Sequence, residues 1–404
     1  MKKLLVIILV SSSLIGFFSQ CNNGCRDDSV SVTGITIAEI EKFHQENGRA
    51  DAFWLSKQDL SDPESVMDQL LERRKDRLNY SMLQDGMGIC RNVFAFGHAR
   101  KDRQLVQAAV EFADALLLKH VTPSGAFIEY NRNTWLAPED MWKTIPWGTA
   151  FCGNQVFDTW ILIKDELSPE QRRFWRHSLE NTARWIYKNP IVGGYVFNNT
   201  INLCRLLWRI GSEFDYPEWC QWALETAEQL IIRDVDGEGW IKGELGGVSG
   251  YYQLVGANYL ARFAWESKSP ELEETVHRIF YNSILPYDTS TLDWPANFDT
   301  RVSGLRRMPG GFVLIAAALG NPEAAYFVKN YGQSFWSNDM ELWRSALSQN
   351  AAEPAYPSVS KLDGISSTVV REGPWVAYFC NYDRSVWSRG FINLYHSGHG
   401  DWVF

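Results

Sequence analysis

Apolar residues recur at helical spacing along most of this chain, interrupted by polar turns at uneven intervals. The periodicity predicts helices over Pro63–Leu78, Asp102–His120, Asn154–Leu167, Pro169–Tyr187, Asn198–Gly211, Pro217–Arg233, Tyr252–Glu266, Pro270–Leu285, Gly311–Leu319 and Pro322–Tyr331. Three of these starts, Ser168-Pro169-Glu170, Ser269-Pro270-Glu271 and Asn321-Pro322-Glu323, place a capping side chain before a proline in the first turn. Short helices joined by alternately short and long loops read as helical hairpins, and the irregular spacing excludes an array of identical repeats. The arrangement that buries both layers of ten or so such helices is an α/α toroid over residues 51–350, an incomplete barrel with long loops at one end lining a cleft. From about Tyr356 the pattern changes to Val, Ile, Tyr, Phe and Trp broken by Asp363-Gly364, Glu372-Gly373-Pro374 and Ser397-Gly398. This predicts about four antiparallel strands in 351–404, the start of a β-domain or a sheet completed by packing on the helices.

The first twenty residues carry two lysines and two apolar runs, the pattern of an export signal. They end at Cys21, which resembles the lipidated cysteine of a bacterial lipoprotein, although Gln20 departs from the small residue usual before it. Residues 21–50 then read as a tether. No later stretch is apolar for the ~20 residues of a spanning helix. The expected location is therefore outside the cytoplasm, in the periplasm or at the outer-membrane surface, with membrane contact only through a lipid anchor. The net charge of -9, without a basic run, argues against nucleic acid but leaves room for a local basic cleft that holds an acidic glycan. The 18 tryptophans exceed what a core of this size requires, and indole faces stack on sugar rings as readily as they pack. Beyond Cys21 the six cysteines show no CxxC pair and hence no zinc spacing; Cys204 and Cys220 read as core residues of neighbouring helices rather than as a bridge.

The chemistry concentrates between Trp240 and Trp265. Gly243, Gly246, Gly247, Gly250 and Gly256 cluster around Tyr251 and Tyr252, which open a helix. So many glycines in an irregular stretch suit tight turns or close approach of a ligand better than packing. Upstream, Asn198 and Asn199 open another helix, where they serve equally as a cap; downstream, His396 and His399 sit in the β-segment, in HSGHGD, where they serve equally as turn residues.

Together these patches resemble the heparinase II/III-like polysaccharide lyases and their alginate lyase relatives. The resemblance covers most of the mature chain in architecture but only three short patches in motif. It implies β-elimination at a uronic acid of an acidic polysaccharide or oligosaccharide. The C5 proton is too weakly acidic to leave unaided, so the carboxylate must be neutralised and a base placed beside that carbon. By the resemblance Asn198 or Asn199 takes the first task, Tyr252 donates or removes protons, and His396 or His399 assists. A phenol has an ordinary pKa of about 10, so Tyr252 as a base needs a cationic or hydrogen-bonding neighbour. Arg301, Arg306 and Arg307 are candidates for that and for gripping acidic groups. Tyr251, Gln253, Trp142, Trp147 and Glu244 complete the expected substrate-binding set. The family's His-Gly-His is stretched here to histidines three apart, which leaves open which of them is catalytic. No cofactor is implied; relatives hold a structural zinc in the β-domain with such residues plus a later histidine, and because none follows His399 in this sequence the resemblance does not extend to a complete zinc site, which leaves a structural metal in the β-segment open.

Two other classes compete. A glycoside hydrolase on the same toroid needs two carboxylates facing one bond, and Asp140, Asp234, Asp236, Glu238 and Glu244 are available. A non-catalytic surface lipoprotein would use the tryptophans to hold glycan.

Overall fold

A computed structural model describes residues 82–122, 125–127, 147–188, 197–242, 250–285, 293–294, 306–332, 339–365, 367–373, 375–380, 392–396 and 402–403. The predicted helix over Pro63–Leu78 and the expected signal and tether lie outside these residues. In chain order the helices are α1 (Met82–Arg100), α2 (Arg103–His120), α3 (Trp147–Ile163), α4 (Pro169–Lys188), α5 (Phe197–Phe214), α6 (Pro217–Asp234), α7 (Gly250–Ser267), α8 (Pro270–Ile284), α9 (Gly310–Ala318), α10 (Pro322–Tyr331) and α11 (Met340–Ser348). The strands are β1 (Asp293–Trp294), β2 (Arg306–Arg307), β3 (Val359–Leu362), β4 (Ser367–Glu372), β5 (Trp375–Cys380), β6 (Ile392–His396) and β7 (Trp402–Val403).

The helix starts follow from side-chain chemistry. Four helices, α4, α6, α8 and α10, begin with Pro-Glu, where proline's missing N–H costs nothing and the carboxylate meets the positive end of the helix dipole. Ser168 and Gln171 close a reciprocal capping box, the Ser168 Oγ accepting from the Gln171 N–H at 3.2 Å and the Gln171 Oε1 accepting from the Ser168 N–H at 3.0 Å. Asn321 Oδ1 accepts from the Ala324 N–H at 2.9 Å. The Pro-Glu helices are amphipathic; α4 buries Trp175, Leu179, Ala183 and Ile186 along one stripe. Between them lie helices buried on nearly every side: α9 buries every residue from Phe312 to Ala318, and α5 all of Phe197, Asn198 and Thr200 through Leu207. Interior and surface helices therefore alternate along the chain, which is the hairpin pattern read from the sequence.

Interior helices meet at glycines. A Cβ on Gly153 of α3 would lie 2.3 Å from Leu206 Cδ2 of α5, and one on Gly256 of α7 would lie 2.9 Å from Phe197 Cδ1. Three glycines also explain why α1 has a weak sequence signal: they lower helix propensity, and Gly86 and Gly97 are tolerated because α2 packs directly over them at Leu116 and Val106.

The described residues fall into two compact units. The first holds α1–α4, α5 from Leu206 and the start of α6 to Cys220; the second holds the first half of α5 to Arg205 and everything described from Gln221 onward. The C-terminal strands form one antiparallel meander, β3-β4-β5-β6-β7, of five strands where four were expected. In it Ser360, Leu362, Ser367, Val369, Val376 and Tyr378 are buried, while Val359, Trp375 and Phe379 are exposed. The meander belongs to the same unit as α7–α11. Cys90, Cys152, Cys204 and Cys220 are free thiols, and burial pushes the Cys204 thiol up to about 12.

Candidate functional site

Helix α6 runs into a tight turn, Val235 to Ile241, that sets up the start of α7. Asp236 Oδ1 accepts the N–H groups of Glu238 (3.0 Å) and Trp240 (2.8 Å), and Val235 bridges Ile241 across the turn. Gly239 takes φ 92°, and a Cβ there would lie 3.0 Å from the Arg278 and Ile279 backbone, so both conformation and space demand glycine. Gln253 holds this turn. Its Oε1 accepts the Ile241 N–H at 2.7 Å, and its Nε2 donates to the Gly239 carbonyl at 2.9 Å and to Ser283 Oγ at 3.3 Å. The side chain is fully buried. Gln253 is expected to contact substrate; with no exposed surface and its amide committed to Ile241, Gly239 and Ser283, it instead braces the turn against the start of α7, beside Tyr252.

Tyr252 is half-buried in the first turn of α7. One turn on, Gly256 receives the Phe197 ring, and Phe197 is the residue before Asn198 and Asn199. That contact joins the start of α5, which carries the asparagines, to the first turns of α7, which carry the tyrosine. Both asparagines lie inside α5, which begins at Phe197. Asn198 is 5% exposed, and its Oδ1 is buried with no hydrogen-bond partner among the described residues; Asn199 is half-buried. The same two helices are pinned again by a bidentate pair, Arg205 Nε to Glu266 Oε2 at 2.7 Å and Arg205 Nη2 to Glu266 Oε1 at 2.6 Å, with the guanidinium almost wholly enclosed. Along α7, from Leu254 to Ala264, all residues are buried except Asn258, Tyr259 and Arg262. Spacings of seven, three and four residues put Tyr252, Tyr259, Arg262 and Glu266 on one side of the helix. Arg205, Arg262 and Glu266 belong to no sequence motif; the signal available for them is charge inside otherwise apolar helices, whereas Tyr259 reads in the sequence only as one of the helix's apolar periodic positions.

In the first unit a second polar cluster crosses α1, α3 and α5. Asp158 accepts from Arg209 and lies 3.6 Å from Arg91, while Arg209 donates to Asn154 Oδ1 at 3.1 Å and stacks on Phe157 at 4.4 Å.

The carboxylates available to a hydrolase are differently employed. Asp234 is fully paired with Arg233, at 2.7 and 2.6 Å. Asp236 caps its own turn, and Glu238 accepts the Asp363 and Gly364 N–H groups and the Trp240 indole N–H. Three of the five expected acids thus hold local structure; Asp140 and Glu244 lie outside the described residues.

Trp142, Arg301, His399 and Cys21 also lie outside. For Tyr251, Trp147, Arg306, Arg307 and His396 the backbone alone is described: Tyr251 lies in α7, Trp147 begins α3, Arg306 and Arg307 pair with Trp294 and Asp293, and His396 ends β6 opposite Trp375. Among the described residues no three His, Cys, Asp or Glu side chains cluster as metal ligands, and no helix is long and apolar enough to cross a membrane.

No family model and no curated protein matches the sequence. Solved structures do match the fold. A Streptomyces coelicolor A3 chondroitin AC lyase, solved in complex with chondroitin sulphate, superposes with TM-score 0.55 at 12% identity over 78% of this chain and 49% of that one. A heparan sulfate lyase from Pedobacter heparinus gives TM-score 0.52 at 13% identity over 90% of this chain and 60% of that one. A heparinase III gives TM-score 0.51 at 12% identity, covering 96% of this chain and 60% of that one. The chain therefore spans about half to three fifths of the length of these structures. Its fold class is theirs: mainly α, an α/α toroid followed by an antiparallel β-segment.

Proposed function

We propose that this protein is a polysaccharide lyase that cleaves a uronate-containing glycan by β-elimination. The observation that carries the reading is the juxtaposition of Asn198-Asn199 with Tyr252 through the Phe197–Gly256 contact, in a fold shared with glycosaminoglycan lyases. Asn199, the more accessible of the pair, donates its amide N–H to the uronate carboxylate and lowers the cost of carbanion character at C5. A base at Tyr252 takes the C5 proton; the electron pair forms the C4–C5 double bond, the C4–O bond breaks, and the leaving oxygen is protonated. The buried brace at Gln253 fixes the start of α7, so the phenol is held rather than searching for its position. Arg262, on the same side of α7, and Arg301 and Arg306 supply cations for acidic groups of the substrate. A histidine of the β-segment, His399 or His396, assists proton transfer. We further infer export and lipid attachment at Cys21, which would place the enzyme where it meets extracellular polysaccharide.

The competing hydrolase reading loses support because Asp234, Asp236 and Glu238 are committed to local hydrogen bonds. The test is incubation with a panel of uronate polysaccharides, following near-ultraviolet absorbance and new reducing ends together. Both rise on one substrate if the reading is right, and Tyr252→Phe removes nearly all turnover while substrate binding survives. Reducing ends without absorbance, or full activity of the variant, would overturn it.

A further inference from the structure

The carboxylate of Glu238 is the meeting point of three N–H groups from two parts of the second unit. Its Oε1 accepts from the Asp363 N–H at 3.2 Å; its Oε2 accepts from the Gly364 N–H at 2.9 Å and from the Trp240 indole at 3.0 Å. Asp363 and Gly364 form the short 3-10 turn between β3 and β4, so one side chain of the α6–α7 turn holds the sheet. The fit around it is close. A Cβ on Gly364 would lie 2.3 Å from Asp236 Oδ2 and 2.5 Å from Trp240 Cδ1, and Trp240 is fully buried. Behind the carboxylate, the Glu238 carbonyl accepts from Asn282 Nδ2 of α8, and the next residues, Gly239 and Ile241, are those gripped by Gln253. A second tie runs from Arg371 of β4, which donates to the Leu285 carbonyl and stacks over Tyr356 at 4.4 Å.

We propose that Glu238 is a positioning residue for the reaction at Tyr252, a role that rests on the lyase reading. The connection is continuous: the β3–β4 turn to Glu238, Glu238 through its own turn to Gln253, and Gln253 to its neighbour Tyr252. It ties the meander, whose β6 ends at His396, to the helix that carries the phenol. Its chemistry suits the task, because only an ionised carboxylate accepts three N–H donors at two oxygens without itself presenting a donor. Glu238 touches no substrate in this account; it acts by fixing the distance between groups that do.

The experiment compares Glu238→Ala, Glu238→Gln, Gln253→Leu and the Glu238→Ala/Gln253→Leu double variant with wild type, measuring kcat, KM and amide exchange at Asp363 and Gly364. Glu238→Ala should speed exchange at both amides and lower kcat about 10- to 100-fold, the cost of a roughly 1 Å misplacement, with KM within about twofold. Glu238→Gln, which keeps one acceptor oxygen, should recover part of kcat. The two single losses should be strongly non-additive in the double variant, since both cut one connection. Faster exchange with wild-type kcat would show that the grip is structural only and would overturn the proposal while leaving the lyase reading intact. Equal losses in binding and turnover, or simple additivity, would overturn it as well. A wild type with no eliminase activity would defeat both.

Discussion

Replacing Gln253 by leucine separates two roles that its position beside Tyr252 suggests. Leucine keeps the volume of the buried side chain and removes its amide. The Ile241 N–H, now given to Gln253 Oε1 at 2.7 Å, and the Gly239 carbonyl, now taking Nε2 at 2.9 Å, both lose that partner inside a fully buried site. Stranding a buried backbone group costs about 1–3 kcal/mol. Two such groups, partly offset by the added apolar surface, give a net loss of about 2–4 kcal/mol. Guanidinium unfolding followed by tryptophan fluorescence reads this as a lower midpoint at an unchanged slope. Had Gln253 been a substrate contact, the variant would raise KM and leave the midpoint alone. An unfolding free energy within about 0.5 kcal/mol of wild type, the range of ordinary surface changes, would refute the bracing role.

Gly125 sits at φ 94° with its missing Cβ only 2.3 Å from the Asn181 carbonyl carbon, and its own carbonyl accepts from Thr182 Oγ1 at 2.6 Å. Gly125→Ala should destabilise the first unit by about 3 kcal/mol or more, combining backbone strain with overpacking, and a thermal melt unchanged by the substitution would contradict that. His277 is held below the ordinary histidine value, chiefly by burial, with Glu273 and the Leu319 backbone opposing. Because the folded state binds this proton less readily than the unfolded one, stability is fully present above the ordinary histidine value and falls as pH drops through it toward the folded value. His277→Gln should flatten that part of the stability–pH curve, and an unchanged slope would contradict it. The enclosed Cys204 thiol should resist iodoacetamide in the native protein and react only on unfolding, as peptide mass mapping would report.

Much of the fold was legible because interior and surface helices differ in composition. The Pro-Glu starts and the apolar stripes that follow them are local signals, and they set α4, α6, α8 and α10 to within a residue or so. Helix α1 was not legible: its glycines speak against a helix until Leu116 and Val106 are known to pack over them. The short ribbon of β1 and β2 escaped notice because two-residue strands have no period. At the site, the sequence singled out Tyr252 and the asparagines but could not show that Phe197 seats on Gly256 between them. It also took Gln253 for a ligand contact and Glu238 for a possible acid. Both are polar residues in a glycine-rich stretch, and only burial and hydrogen-bond partners tell a brace from a binding group. Arg205 and Glu266, 61 residues apart, could be paired only in three dimensions.

The most direct measurement is the mass of the fragments from a defined uronate oligosaccharide cut by the wild-type protein. Elimination adds no water, so the two product masses should sum to that of the substrate, with the unsaturated fragment absorbing in the near ultraviolet. Tyr252→Phe should yield neither fragment under the same conditions. Product masses that sum to substrate plus one water, still formed by Tyr252→Phe, would contradict the account and point to hydrolysis by groups other than those assembled at the starts of α5 and α7.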